Sequence, residues 1–259
     1  MSHKEDFLAS CIILDTETTG QDYKTAEVVE TGFVIRDNAE WVIFQELHKP
    51  KNKIPPMVES ICYITNKMVE DKPFFEDSKE VFQSVIDGFS TGYAVGHNYF
   101  YDMKVLENYN IKMPKNSVCT WRLAKKLFNG MAEIESTSLP YLRFALELDI
   151  PIEMYCHRAG NDSFITGKLL ETLVNLMEDS NLLDKTQPYG PQIANWSQEP
   201  IIYETFPFGK HKGVLIDDVP ISYIQWALSN MDSLKEGADN FDPDLAATIT
   251  ATLERRGVI

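Results

Sequence analysis

The apolar run Ile12-Ile13-Leu14 ends abruptly in Asp15-Thr16-Glu17-Thr18-Thr19-Gly20, which sets two carboxylates two residues apart at the end of a buried strand. Side chains of a strand alternate between its faces, so Asp15 and Glu17 project from the same side. Two acids held together at the edge of an apolar interior repel each other and lose hydration. A divalent cation relieves both penalties, and carboxylate oxygens suit hard ions such as Mg²⁺ or Mn²⁺. A bare D-x-E pair also occurs as a solvated strand end. The rest of the chain has to decide between the two.

Segments 10–16, 27–36 and 40–47 are rich in Ile, Val and Phe and are separated by polar turns, so they read as three strands of a meander. Pro50, Pro55, Pro56 and Pro73 make 48–73 an irregular crossing. Helical spacing then covers 75–87, followed by a strand at 91–96 and helices at 99–109, 120–127, 138–148 and 161–178. That order predicts an α/β fold with a mixed sheet flanked by helices. Residues 1–9 read as an N-terminal tail and 10–180 as the principal domain. With Pro188, Gly190 and Pro191 and no regular period, 181–200 reads as a linker. Residues 201–259 read as a small C-terminal module with a helix near 243–256.

Two further acids stand where apolar residues are expected. Asp102 begins the stripe Asp102, Val105, Leu106, Tyr109, and Asp162 begins the stripe Asp162, Ile165, Thr166, Leu169, Leu170, Leu173. Either acid alone fits a first helical turn, where the dipole favours negative charge. Both of them in one chain with Asp15 and Glu17 make a four-carboxylate metal centre the better account, of the kind that holds two ions for phosphoryl transfer. His157 precedes Asp162 by five residues, in Cys156-His157-Arg158-Ala159-Gly160-Asn161-Asp162, with Asn161 as the expected helix cap. Histidine titrates near neutral pH, so a loop-borne His157 beside such a centre suits a general base.

A net charge of −15 lowers non-specific affinity for nucleic acid. Bound cations supply local positive charge, and Lys112, Lys115, Arg122, Lys125 and Lys126 form one basic stretch. Cys11, Cys62, Cys119 and Cys156 lie far apart, which argues against a zinc site or disulfide framework and fits a reducing cytoplasm. Neither a membrane span nor a leader is expected.

Three blocks together resemble the DEDDh 3′→5′ exonucleases, DnaQ-like members of the ribonuclease-H-like superfamily. D-x-E-T-T-G matches Asp15 to Gly20, H-N-x-x-x-D matches His97 to Asp102, and H-x-A-x-x-D matches His157 to Asp162. The resemblance implies Asp15, Glu17, Asp102 and Asp162 as metal-binding acids, His157 as general base, and Mg²⁺ (with Mn²⁺ able to substitute) as cofactor, two ions per site. It implies substrate contacts from Thr18, Thr19, His97, Asn98 and Tyr101, and release of nucleoside 5′-monophosphates from nucleic-acid 3′ ends in repair or end processing. Pro56–Asp77, Val118–Leu127 and the tail block Thr205–Gly213 are similar to one DNA-directed branch of that family, so DNA is favoured over RNA. Members often dimerise, and no feature of this chain demands it. The chain departs from the family at Cys62-Tyr63, where histidine is frequent, and at Tyr101, where phenylalanine is common. Stacking on bases suits Tyr99, Phe100 and Tyr101, with Phe100 expected to be the one in the core. An RNA 3′-end trimmer and a non-catalytic nucleic-acid-binding module remain the rival readings, and the tail block by itself reads as a basic hairpin.

Overall fold

The computed structural model of the protein describes residues 2–238 and 241–259. Its centre is a five-stranded mixed sheet in the order β3-β2-β1-β4-β5. Strands β1 (Cys11–Thr18), β2 (Val28–Asp37) and β3 (Glu40–Leu47) run antiparallel as a meander, and β4 (Tyr93–Gly96) and β5 (Asn116–Cys119) add in parallel beyond β1. The D-x-E strand is therefore the middle strand. The expected α/β class with a mixed sheet is what the chain adopts. Strand β5 was not foreseen, because Asn116-Ser117-Val118-Cys119 is too short and polar to carry an alternation signal.

The helices are α1 (His3–Ala9), α2 (Pro56–Cys62), α3 (Asn66–Val69), α4 (Phe75–Asp87), α5 (Phe100–Glu107), α6 (Thr120–Leu127), α7 (Leu139–Ala145), α8 (Ala159–Asp179), α9 (Tyr189–Gln198), α10 (Ile221–Asn230) and α11 (Pro243–Arg255). Ile12 and Leu14 point to one face, where Phe75, Phe82 and Ile86 of α4 and Val105 and Leu106 of α5 close a core. Helix α8 crosses β1, β2 and β3 on the other face, the side of Asp15 and Glu17. Its stripe Asp162, Ile165, Thr166, Leu169, Leu170, Leu173 is buried as the 3.6-residue period predicts.

Gly32 lets α8 approach the sheet this closely. It lies opposite Asp15 in the β1–β2 register, and a Cβ there would overlap the Ala159 carbonyl and the Gly160 nitrogen. Ser163 Oγ donates to the Gly32 carbonyl at 3.1 Å, which locks the first turn of α8 onto β2. Gly32→Ala is expected to lower stability by about 1–3 kcal/mol through overpacking, read as a shift in the urea midpoint. Because the clash falls on the turn that carries Asp162, affinity for divalent cation should fall too. A midpoint and cation affinity equal to wild type would show that α8 is not held at this contact.

Two segments differ from expectation. Residues 3–9, read as a tail, form α1, with Phe7 and Leu8 buried. Residues 189–198, read as lacking a regular period, form α9, with Tyr189, Ile193 and Ala194 buried. Its Pro188-Tyr189-Gly190-Pro191 sequence falls at the helix start, where proline is tolerated because first-turn N–H groups have no intrahelical partner. The basic stretch has a structural job here. Arg122 Nε and Lys126 Nζ donate to the Ser197 and Trp196 carbonyls at 2.7 and 2.6 Å, at the negative end of the α9 dipole.

The chain divides into two compact units. The larger runs to Gln198 except for Phe128–Glu133, which belong with Glu199–Ile259 in the smaller one. The smaller unit has its own core of Phe206, Ile216, Val219, Ile224, Leu245, Ile249 and Leu253. Asp242 caps α11 by accepting from the Asp244 and Leu245 N–H groups at 3.1 and 2.9 Å. The tail block is a hairpin: the Phe206 N–H donates to Val214 O at 2.8 Å and the Gly213 N–H to Phe206 O at 2.9 Å.

Among the described residues no helix is long and apolar enough to cross a membrane. All four cysteines are free.

Candidate active site

At the C-terminal end of β1, Asp15 and Glu17 stand half-buried on the α8 face, as strand alternation requires. Asp162 comes to them from the first turn of α8 and Asp102 from α5. Asp102 is 5% exposed and Asp162 8% exposed, so both approach as buried carboxylates. β1 pairs with β4 only over Cys11–Ile13. Beyond that point its edge is open, and the Thr16 N–H and hydroxyl donate to Asp102 Oδ1 at 2.9 and 2.7 Å. Asp162 Oδ2 accepts from the His157 backbone N–H at 2.9 Å, while Asp162 Oδ1 is buried with no hydrogen-bond partner. His157 itself is exposed, with a left-handed backbone at φ 65°.

Ligand atoms of Glu17, His157 and Asp162 all lie within 4.8 Å of one another. Asp15 and Asp102 are not members of that tight group. Asp15 is tied to it electrostatically: burial comes first in pushing its carboxyl well above the usual range, followed by the charges of Asp102, Asp162 and Glu17. Glu17 is pushed up to about 8, by burial and then by Asp162 and Glu30. Burial also lifts Asp102 and Asp162 to about 6 each, against the hydrogen bonds from Thr16 and from the His157 backbone. Four acids that resist ionising together, and a buried carboxylate oxygen without a donor, have the chemistry that a hard divalent cation would relieve.

These raised acids have a consequence for stability. Without a divalent cation the native state holds more protons than the unfolded chain between about pH 5 and 8, so this contribution to stability is lost as pH rises through that window. In EDTA the melting temperature should therefore fall from pH 6 to pH 8. Added Mg²⁺ should raise it more at pH 8, where protons no longer compete for the same oxygens. Equal Mg²⁺ shifts at the two pH values would mean that these carboxylates do not hold the ion.

Sequence reasoning missed Glu30. It lies opposite Glu17 on β2, fully buried, and accepts from Arg158 Nε at 3.0 and 3.2 Å and from the Ala159 N–H at 2.9 Å. Glu30 thereby caps α8, and the N-cap position is Arg158 rather than Asn161. Asn161 instead donates to Tyr155 O at 2.8 Å. The available signal was a lone acid inside the apolar strand Val28-Val29-Glu30-Thr31-Gly32-Phe33-Val34.

Thr16, Glu17, Thr18, Gly20, Asn98, Tyr101 and His157 line a cleft of about 670 Å³, with Met57, Val58, Ile61 and Cys62 of α2 as its apolar wall. A second hollow of about 400 Å³ shares Asn98 and His157 and adds Asp15, His97, Trp121, Leu139 and Asp162. Thr18 and Tyr101 join hydroxyls at 2.6 Å and both reach the Gly20 carbonyl. Thr19 does not line the cleft: its hydroxyl accepts from the Glu27 N–H at 2.9 Å. His97 faces the second hollow with both ring nitrogens engaged, Nε2 with Thr137 O at 2.9 Å and Nδ1 with Thr120 Oγ1 at 3.0 Å. Burial pushes it down to about 4, so it is neutral, donating from Nε2 and accepting at Nδ1. Of the three aromatic residues, Tyr99 is the core member at 5% exposure and Phe100 is 57% exposed, the reverse of the expectation. At the helix start Tyr99 turns toward the α4–α5 core, and Phe100 faces away from it.

The exonuclease family model of the RNase T type matches residues 12–170. A second model, named for a quorum-sensing-regulated virulence factor, matches residues 197–231. Over 245 residues the chain is 29% identical to exodeoxyribonuclease 10 of Escherichia coli strain K12, covering 93% of this chain and 98% of that protein. It is 30% identical over 176 residues to the 3′-5′ exonuclease DinG of Bacillus subtilis, covering 64% of this chain and 18% of the relative. Among solved structures, exonuclease X in complex with 5′-overhanging duplex DNA superposes with a TM-score of 0.54 at 29% identity, covering 72% of this chain and 99% of that one. E. coli exonuclease I with an oligonucleotide shares the fold at 15% identity and a TM-score of 0.54, covering 66% of this chain and 42% of its own.

Proposed function

The chain belongs to the exonuclease family whose model it matches, and from that premise we propose a Mg²⁺-dependent 3′→5′ exodeoxyribonuclease that releases nucleoside 5′-monophosphates. The observation that carries this reading is the approach of Glu17, His157 and Asp162 to within 4.8 Å beside Asp15 and Asp102, with Asp162 Oδ1 buried and unpartnered. DNA rather than RNA is supported by the likeness to exodeoxyribonuclease 10, which extends over 93% of this chain, the smaller unit included. Repair or end processing in the cytoplasm is the setting proposed for this activity. Catalysis is assigned to the 10–180 segment, apart from Phe128–Glu133, and a separate role to the smaller unit.

Asp15, Glu17, Asp102 and Asp162 would hold the divalent cations, two per site. When bound, these ions supply the positive charge that stabilises the attacking and leaving oxygens of an in-line displacement. The other steps fall to the chain's own groups. His157 Nδ1 or Nε2 takes the proton from the attacking water, and its exposed ring on a loop then returns that proton to solvent. Asp162 Oδ2, bonded to the His157 N–H, ties the base to the acid cluster, so a single carboxylate sets the position of both. Thr18, Asn98 and Tyr101 border the cleft where the terminal nucleotide would lie, and the α2 side chains Met57 and Ile61 exclude water from its base.

The test is a gel of 5′-labelled single-stranded, blunt and overhung DNA with matched RNA, in Mg²⁺ and in EDTA. The expected result is Mg²⁺-dependent shortening from the 3′ end, faster on DNA. Faster shortening of RNA would overturn the substrate class, and no Mg²⁺-dependent release at all would return the chain to a non-catalytic binding role.

A further inference from the structure

The active-site reading leaves the tail block Thr205–Gly213 without a function. Within it, Gly209-Lys210-His211-Lys212-Gly213 is a basic turn whose two glycines take left-handed backbones, φ 64° and 80°, where a Cβ would be strained. The pairing of Phe206 with Val214 and Gly213 holds the turn closed. Lys210 and Lys212 are exposed, and neither forms an ion pair with a described residue. Of the two exposed acids a few residues downstream, Asp217 and Asp218, the first is paired with Arg255 at 2.9 Å.

An aromatic ladder backs this turn. Tyr223 and Trp226 stand three residues apart on α10 and so share a face, while Ile224 and Ala227 face the core. The His211 ring meets Tyr223 at 4.5 Å between centroids, Tyr223 meets Trp226 at 5.4 Å with planes 33° apart, and Phe206 anchors Tyr223 from the core at 5.6 Å. Trp226, at the open end, is 50% exposed. Through His211 the cations are fixed beside the rings. The segment matched by the second family model, residues 197–231, contains the turn and both α10 aromatics.

We propose that Lys210, Lys212, Tyr223 and Trp226 form a binding site for single-stranded nucleic acid in the smaller unit, with Trp226 stacking on a base and the two lysines contacting backbone phosphates. Neighbouring cations beside an open aromatic face are what a strand with alternating phosphates and bases requires. In a duplex the bases are stacked on one another, so an open ring selects single strands. The choice of ligand rests on the exonuclease reading: an enzyme that degrades strands from their ends gains from a second grip carried on the same polypeptide.

The test uses the full-length protein and a 5′-fluorescein oligo(dT) probe, with anisotropy measured in EDTA. Under those conditions the acid cluster has no bound cation to offer phosphate, so binding reports on other surfaces. Trp226→Ala is expected to weaken binding by about 5- to 150-fold, the range for loss of one base stack. Lys210→Ala/Lys212→Ala is expected to reduce the slope of log affinity against log salt by about 1.4, or about 0.7 per phosphate. Hydrolysis of the p-nitrophenyl ester of thymidine 5′-monophosphate, too small to span two sites, should be unchanged in both variants. Affinity within about two-fold of wild type in both, with an unchanged salt slope, overturns the proposal and leaves the ladder to a protein partner. If the wild type fails to cleave any nucleic acid or ester, the catalytic reading fails, and the anisotropy result still decides this one.

Discussion

Asp15→Asn is expected to keep the fold and lower metal-dependent cleavage by roughly 10³-fold or more. Asparagine matches aspartate in shape, so packing opposite Gly32 is retained. It removes one negative charge from the middle of the acid cluster, where several kcal/mol of transition-state stabilisation would depend on cation binding, and each 1.36 kcal/mol is tenfold in rate. A second readout separates this from simple damage. Burial and the charges of Asp102, Asp162 and Glu17 all disfavour ionised Asp15. In EDTA at pH 8 the variant should therefore melt at a higher temperature than wild type, and the advantage should shrink in Mg²⁺. Activity within tenfold of wild type would sink the assignment of Asp15 as a metal-holding acid, whatever the melting temperature did.

His157→Ala should lower the turnover rate by about 10²-fold or more, the lower end of general-base contributions. The bond to Asp162 comes from the backbone N–H of residue 157 and survives the substitution, so the acid cluster should stay in place. Cation affinity, measured by the Mg²⁺-dependent rise in melting temperature, is accordingly expected to match wild type. His157→Asn serves as a control for backbone strain, since asparagine accepts the left-handed conformation at φ 65°. It should be as stable as wild type or more so and as slow as the alanine variant. If the asparagine variant were as fast as wild type at neutral pH, His157 would be a structural residue and the base would lie elsewhere.

How far the site was legible depended on the range of the interactions involved. Asp15 and Glu17 share a face because the alternation of β1 is a two-residue property. Asp102 and Asp162 stood out because each interrupts an apolar stripe of period 3.6; the Asp162 stripe is buried throughout and the Asp102 stripe is buried except for half-buried Tyr109. Glu30 was not legible in that way. An acid in an apolar strand is a conflict until its partner is known, and the partner, Arg158, lies 128 residues away in sequence. Phe100 and Tyr99 exchanged their expected places for a related reason. With three aromatics in a row at a helix start, the residue that turns inward depends on where the helix docks. The basic stretch misled more plainly: in sequence Arg122 and Lys126 advertise an anion, whereas in the fold they meet the terminal carbonyls of α9, a helix that had read as irregular.

The sequence alone therefore determined the class of fold and singled out the four acids and the histidine beside one of them, since each of these is written in local periodicity and short motifs. Tertiary structure decided which polar groups are already engaged. It committed Thr19 to a turn, closed both nitrogens of His97, paired Glu30 with Arg158, and left Asp162 Oδ1 and the face of Trp226 open. A side chain's capacity for chemistry is what remains after its hydrogen bonds and contacts are counted, and those partners are set by long-range packing that no local pattern encodes.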